Sequence, residues 1–418
     1  MSKPLLVFQG PVATRSGYGD HSRDLLKSLF DMDKFDIKII PTRWGNTPQN
    51  QLDERTELGQ KILSNIIFQL TQQPDVYVQV SVANEFRKLG KYNIGVTAGV
   101  ETTVAPKEFI DGCNQMDLVL VPSDFTKQVL EKTSFAETDK RTGQKIRDIQ
   151  VNVPIEVLFE GVDTSIFKSV KTDFLKDVDT DFNLLYVGHW LSGDLGHDRK
   201  DTGMMIKTFC TVFKNLPKEK QPGLILKTSH AGFSVGERED IASRVTAITK
   251  EFGDKCPPIH LIWGDLTESE LNELYNDDKV KAMISFTKGE GYGRPLAEFA
   301  TTGKPIIVSN WSGHTDFLPQ VNTIYLEGDL KNVHESAQNQ FLLKESKWFY
   351  VDYTKAAQVI FDVHKNYDSY LKKSKGLSDN INNRFSLTKM TEVFKGIFDR
   401  YVKIQQKVEL VLPQIKKL

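Results

Sequence analysis

The sequence predicts an α/β protein built from two domains of similar size, and three features point there. At 418 residues the chain is longer than one ordinary core organises. Short apolar runs rich in branched residues alternate with helix-period segments, as in parallel sheets covered by helices on both faces. The alternation starts afresh at Phe182, after a charged stretch over 168–181 suited to a linker. The division that follows is a first domain over 1–170, a linker over 171–181, a second domain over 182–375, and C-terminal helices over 376–418 that fold back on the first domain.

In the first half, strands are expected at 5–9, 37–40, 76–82, 93–96, 118–121 and 153–158. The first strand runs into Gly10-Pro11 and a glycine-containing loop over 15–20. A helix over 21–30 follows, with Leu25, Leu26 and Leu29 on one face. After strand 118–121, Ser123 or Asp124 suits the N-cap of the next helix. Residues 136–148 are polar, carry Lys140, Arg141, Lys145 and Arg147, and read as an exposed loop or hairpin. In the second half, strands are expected at 184–187, 224–227, 260–263, 282–286 and 305–309. Helices are expected at 204–213, 238–252, 268–275 and about 295–301, and a long loop spans 188–201. From 351 the chain reads as two or three helices broken near Gly376 and Phe385. In such sheets ligands bind in the crevice at the carboxyl ends of the strands.

The net charge of -1 argues against strong nonspecific attraction to nucleic acid or membrane. Cys113, Cys210 and Cys256 lie far apart and form no CxxC pair, which fits a reducing cytosol. The apolar run from Leu5 to Phe8 is too short for a signal-peptide core, and no later run approaches the ~20 apolar residues of a membrane span. A cytoplasmic chain with no transmembrane segment, at most peripheral at a membrane, is therefore expected. The histidines show no HxH or HExxH spacing, so no metal site is expected. Asp177-Val-Asp179 has no strand leading into it and reads as solvated linker charge.

The strongest constellation is Lys288-Gly-Glu-Gly-Tyr-Gly-Arg-Pro-Leu-Ala-Glu298. It follows a strand and opens a helix near Pro295, where proline is well suited. Free amides at a helix start favour an anion such as a diphosphate. Gly291 and Gly293 allow close backbone approach and positive φ. Glu290 and Glu298 can accept pairs of hydroxyl hydrogen bonds, which suits sugar and ribose rings.

This segment resembles the E-x7-E signature of retaining nucleotide-sugar glycosyltransferases of the "group 1", glycogen-synthase-like superfamily. Other segments agree in order. Gly161-Val-Asp-Thr-Ser-Ile-Phe167 is similar to the family's G-V-D-x-x-x-F, and Tyr186-Val-Gly188 with Arg199-Lys200-Asp201 to its V-G-R…K-G. Trp263-Gly264 with the helix to Tyr275, Ser309-Asn-Trp-Ser-Gly313, and Val121-Pro122-Ser123 also have counterparts. The resemblance covers about residues 5–320. It implies a GT-B fold, two Rossmann-like doubly wound domains facing a central cleft. It also implies a nucleoside-diphosphate sugar as donor substrate, no cofactor and no metal.

By this resemblance Glu290 contacts the donor sugar, with Gly291, Tyr292 and Gly293 beside it, and Glu298 holds the ribose. Lys200 and Arg199 neutralise the departing diphosphate. Gly17 and Gly19 let the first-domain loop approach the donor, and Trp263, Gly264 and Leu266 line the nucleobase pocket. The sequence departs from the pattern at His189, where an arginine is expected, so Lys227 and Arg294 are further candidate cations. In the loop Thr97-Ala-Gly-Val-Glu101, Glu101 is placed to orient an acceptor hydroxyl or act as a weak base. Asp20 and His21 are lesser candidates with a capping explanation. The acceptor is left open among a glycan, a lipid-linked sugar and a small molecule. A viral-type enzyme acting on hydroxymethylated DNA bases, through the 140–147 cluster and Arg43-Trp44, is a second reading that the neutral charge disfavours. A non-catalytic nucleotide-sugar-binding component is a third, disfavoured by the intact Glu290, Glu298 and Lys200.

Overall fold

The computed structural model describes residues 3–139, 141–190, 193–230 and 234–403. Lys140, part of the long loop at 191–192, and the tail beyond 403 lie outside the described residues.

The first half contains β1 (Leu5–Gly10), β2 (Asp36–Pro41), β3 (Val76–Val80), β4 (Tyr92–Val96), β5 (Leu118–Val121), the hairpin strands β6 (Phe135–Thr138) and β7 (Lys145–Ile149), and β8 (Ile155–Val157). Its helices are α1 (Gly17–Met32), α2 (Glu57–Ser64), α3 (Lys107–Cys113) and α4 (Asp124–Lys132). Six strands pair in parallel in the order β2-β1-β3-β4-β5-β8. β3 and β5 are buried along their whole length, which is why they read as unbroken apolar runs.

The second half repeats the plan with β9 (Asn183–His189), β10 (Gly223–Ser229), β11 (Ile259–Ile262), β12 (Val280–Ser285), β13 (Ile306–Ser309) and β14 (Ile324–Leu326). These too pair in parallel, in the order β11-β10-β9-β12-β13-β14. The helices are α5 (Thr202–Phe213), α6 (Val235–Thr249), α7 (Glu268–Asn276) and α8 (Arg294–Ala300). An antiparallel hairpin, β15 (Gly328–Asn332) and β16 (Lys347–Val351), precedes α9 (Tyr353–Lys365), α10 (Tyr367–Ser374), α11 (Gly376–Arg384) and α12 (Leu387–Tyr401).

Several elements differ from expectation for identifiable reasons. The expected glycine loop at 15–20 is largely helix. Ser16 accepts from the Gly19 N–H at 3.1 Å, and this cap starts α1 at Gly17 despite the weak helix propensity of glycine. α2 and α3 are too short to show a periodic pattern. β15 alternates charged and apolar residues on an exposed face, so no apolar run announces it.

The chain crosses between the halves twice, side by side. Val162 N–H donates to Phe385 O at 3.0 Å and Leu387 N–H donates to Val162 O at 2.7 Å. A Cβ on Gly161 would lie 2.5 Å from Leu387 Cα, so only glycine fits where the crossings touch. α11 stays with the second half through Leu377 and Ile381. α12 returns to the first half, where Met390, Phe394 and Phe398 share a core with Leu25 and Leu29 of α1.

Candidate functional site

In each sheet the strand order reverses once, between β1 and β3 and between β9 and β12. The carboxyl ends of strands at such a reversal frame a ligand crevice, because the flanking loops diverge to opposite faces. Here the two crevices face each other. Beyond β9 the chain leads to Arg199-Lys200-Asp201, and beyond β12 to Thr287-Lys288-Gly289-Glu290. Beyond β4 it leads to Glu101, and beyond β1 to Ser16 and α1.

Four charged side chains meet at this junction. Arg199 Nη1 lies 3.3 Å from Glu290 Oε2 and 3.4 Å from Glu101 Oε1, and it donates to Gly289 O at 2.6 Å. Lys200 Nζ donates to Glu290 Oε1. Burial alone would raise the Glu290 carboxyl, but Lys200 and Arg199 outweigh it and hold the group down at about 2. Glu290 is therefore a carboxylate at neutral pH. Its backbone is clamped as well. Its N–H donates to Ser312 Oγ at 2.9 Å, and its carbonyl accepts from Gly313 N–H at 3.0 Å. Ser312 sits at φ 85, a left-handed conformation costly for a residue with a Cβ.

The glycines of the motif answer to the opposite half. A Cβ on Gly289 would meet Glu101 O at 2.3 Å, and one on Gly291 would meet Ala98 O at 2.8 Å. Ser123 Oγ donates to Gly291 O at 2.6 Å. Positive φ applies to Gly293 alone among these three, at 102, where it caps α8. Gly291 does not use the positive φ that glycine allows; backbone from the first half occupies the space a side chain would fill.

Arg294 donates from Nη1 to Asp24 Oδ2 of the first half at 2.7 Å and from Nε to Glu298 Oε1 at 2.9 Å. The guanidinium thus bonds an acidic side chain from each half, so it ties the halves together. Burial pushes the Glu298 carboxyl up to about 8; Arg294 pulls it down, and Asp20 and Glu268 reinforce the rise. Tyr275 Oη lies 3.4 Å from the second Glu298 oxygen. A further ion pair, Arg15 with Asp265, also crosses the cleft.

Other candidate residues divide into those at the cleft and those in the core. Lys227 Nζ donates to Gly264 O at 2.7 Å, which joins the ends of β10 and β11, and Gly264 has φ 104. Trp263 and Leu266 are partly buried beside them. Tyr292 is 3% exposed and packs on Phe317, so its ring belongs to the core; its hydroxyl has no hydrogen-bond partner among the described residues. A Cβ on Gly19 would lie 2.3 Å from Thr14 O, whereas one on Gly17 would meet nothing. Gly19 is thus needed for local packing, and sterics do not require Gly17. His189 is exposed, with Nδ1 3.2 Å from Ser229 Oγ. In the 136–148 hairpin, Arg147 pairs with Glu137 and Lys145 with Asp148, which neutralises much of the basic cluster. Trp44 stacks on Tyr18 with ring centroids 3.9 Å apart.

The sequence does not point to Asp24 or to the loop carbonyls that face the motif glycines, and it places Lys288 at the head of the motif without a role. The available signal is Lys288 itself, a lysine shortly after an apolar strand. A groove of about 1150 Å³ between the 50–55 loop, the linker and α7 contains none of the four clustered charges. Among the described residues, no group of His, Cys, Asp or Glu is arranged to hold a metal ion, and no helix is long and apolar enough to cross a membrane.

No protein-family description and no curated protein matches the chain. Solved structures do match in fold. A glycosyltransferase from Rickettsia africae superposes with a TM-score of 0.63 at 14% identity, covering 97% of this chain and 100% of that one. Sucrose-phosphate synthase from Thermosynechococcus elongatus gives 0.62 at 13%, covering 95% and 99%. Anabaena HepE in complex with UDP-glucose gives 0.59 at 10%, covering 95% and 100%. The two parallel sheets and the cleft between them are the GT-B fold.

Proposed function

We propose that the protein is a metal-independent retaining glycosyltransferase, moving a sugar from a nucleoside-diphosphate sugar to an acceptor hydroxyl. The observation that carries the reading is the charge cluster itself. Glu101 from one half and Glu290 from the other converge on Arg199, with Lys200 beside it, where two Rossmann-like sheets point their carboxyl ends at each other. The complex of the similarly folded HepE with UDP-glucose supports a nucleotide-sugar donor.

In this reading Glu290, held ionised, accepts hydrogen bonds from the donor sugar. Arg199 and Lys200, fixed beside Glu290, face the diphosphate as its charge develops. Fixed cations in a water-poor cleft are usually the largest catalytic term, because they need no reorganisation at the moment of reaction. Glu298, behind Arg294, suits the ribose hydroxyls, and Trp263, Gly264 and Leu266 suit the base. Glu101 faces the acceptor. The glycosidic bond to phosphate breaks as the acceptor oxygen attacks the same face of the sugar, and the leaving phosphate takes the acceptor proton. Lys145 and Arg147 are paired with carboxylates, which lowers the charge the cluster could offer DNA and favours a carbohydrate, lipid-linked or small-molecule acceptor.

The test is a thermal-shift panel of nucleoside-diphosphate sugars on the full chain. A true donor stabilises the fold by about 2.7 kcal/mol at a hundredfold excess over its dissociation constant. Transfer from that donor is then measured for Glu290→Gln and Lys200→Ala. A folded protein that shifts with no donor, or variants that keep full transfer, would sink the assignment.

A further inference from the structure

We propose that Lys288 is a positioning residue, holding the turn from Asp198 to Asp201 from beneath so that Arg199 and Lys200 project at Glu290 and at the diphosphate beyond it. The proposal rests on the donor-site reading above for the identity of the ligand, though its structural half stands alone.

Lys288 is fully buried, at 0% exposure, three residues past the end of β12. It grips the turn at three points. Its N–H donates to Arg199 O at 2.7 Å, its Nζ donates to Asp198 O at 3.0 Å, and the same Nζ lies 2.9 Å from Asp201 Oδ1. These points flank both cationic residues. The other Asp201 oxygen accepts from Tyr353 Oη at 2.7 Å, which anchors the turn to α9. The hairpin β15–β16 closes the roof. Nζ lies 4.8 Å from the Tyr350 ring centre and 6.0 Å from that of Trp348, and Phe349 N–H donates to Lys288 O at 3.0 Å.

Asp201 caps α5 in the left-handed region, at φ 52, where glycine is the default and N-caps are normally extended. Its carboxylate does not bond the helix amides; it is spent on Lys288 and Tyr353. A buried ion pair adds little stability compared with apolar residues of the same volume. Stability alone therefore does not account for this pair, whereas a fixed turn geometry does. Displacing a catalytic group by about 1 Å costs up to ~100-fold in rate.

The experiment compares wild type, Lys288→Met and the double variant Lys288→Met/Asp201→Asn in the full chain. The single variant orphans a buried carboxylate and lowers Tm. The double variant restores charge balance, and asparagine tolerates positive φ, so Tm recovers toward wild type. With no ligand present, hydrogen exchange at the amides of 198–202 is expected to stay faster than wild type in the double variant. Its kcat, with whichever donor the thermal-shift panel selects, is expected to stay roughly 30–100-fold down while acceptor KM changes less than about twofold. Wild-type exchange at 198–202 together with wild-type kcat in the double variant would overturn the positioning role. If wild type itself uses no nucleotide-sugar, the donor reading fails, and the exchange at 198–202 still decides whether Lys288 holds the turn.

Discussion

Glu101 and Glu290 come from opposite halves of the molecule and share one guanidinium, lying 3.4 and 3.3 Å from Arg199 Nη1. The carboxylate of the first half is thereby coupled to that of the second through a single cation. Arg199→Met should leave both carboxylates facing each other with only Lys200 to balance them. Transfer should fall about 100-fold or more, the scale of losing one preorganised charge at a reacting centre. The acid limb of the pH–rate profile should also move to higher pH, since a cation that holds Glu290 ionised is gone. A steady-state profile across the acid range checks both, and an unmoved acid limb would disprove the coupling.

The motif glycines predict a second effect, on closure. A methyl group on Gly289 would stand 2.3 Å from the Glu101 carbonyl, a backbone atom that cannot move aside cheaply. Gly289→Ala should therefore hold the halves apart while leaving each core intact. Small-angle scattering should show a larger radius of gyration than wild type, with transfer down by about 100-fold and a near-unchanged melting transition. Wild-type dimensions with wild-type activity would show that the contact gives way easily.

Much of this was legible in the chain because parallel strands buried on both faces announce themselves. The runs at 76–82, 118–121 and 305–309 became β3, β5 and β13 in place. Glu290 stands out in the local sequence, Arg199 and Lys200 stand out through the family resemblance, and the three are found together. What local sequence hides is the partner across the cleft. Nothing near Arg294 announces that Asp24, 270 residues earlier, takes up its charge. Nothing near Gly289 announces the Glu101 carbonyl. The motif glycines suggest space for a ligand, because in sequence a close ligand and a close backbone leave the same mark. Gly17 and Gly19 suggest a loop in sequence, and the Ser16 cap makes them the first turn of α1 instead.

The return of α12 to the first half carries a stability prediction. Phe394 is 0% exposed, packs edge-on to Phe398 at 4.8 Å, and sits in the core built on β1 and α1. Phe394→Ala should cost about 3–5 kcal/mol through lost burial and the cavity left behind. Melting should drop on the order of 10 °C, with faster hydrogen exchange in α1 and α12 and little change in β9–β13. Uniform loosening of both halves would contradict the separate cores.

Two buried carboxylates predict opposite pH slopes of stability. Glu290 is held near 2, below its unfolded value of about 4.3. Its contribution is therefore present above about 4.3 and is lost as pH falls from there through about 2. Glu298 is raised to about 8. Between about 4.3 and 8 the folded state keeps a proton that the unfolded state has released, so stability falls as pH rises through that window. Glu298→Gln removes this slope. Its stability relative to wild type should climb from pH 5 to pH 8, by on the order of a few kcal/mol. Glu290→Gln should instead be least stable relative to wild type at neutral pH and converge with it toward pH 2. Calorimetry of the three proteins at matched ionic strength measures both trends. A Glu298→Gln difference that stays flat from pH 5 to pH 8 would mean that Arg294 keeps the Glu298 carboxyl ionised throughout, and that the pair acts as an ordinary salt bridge.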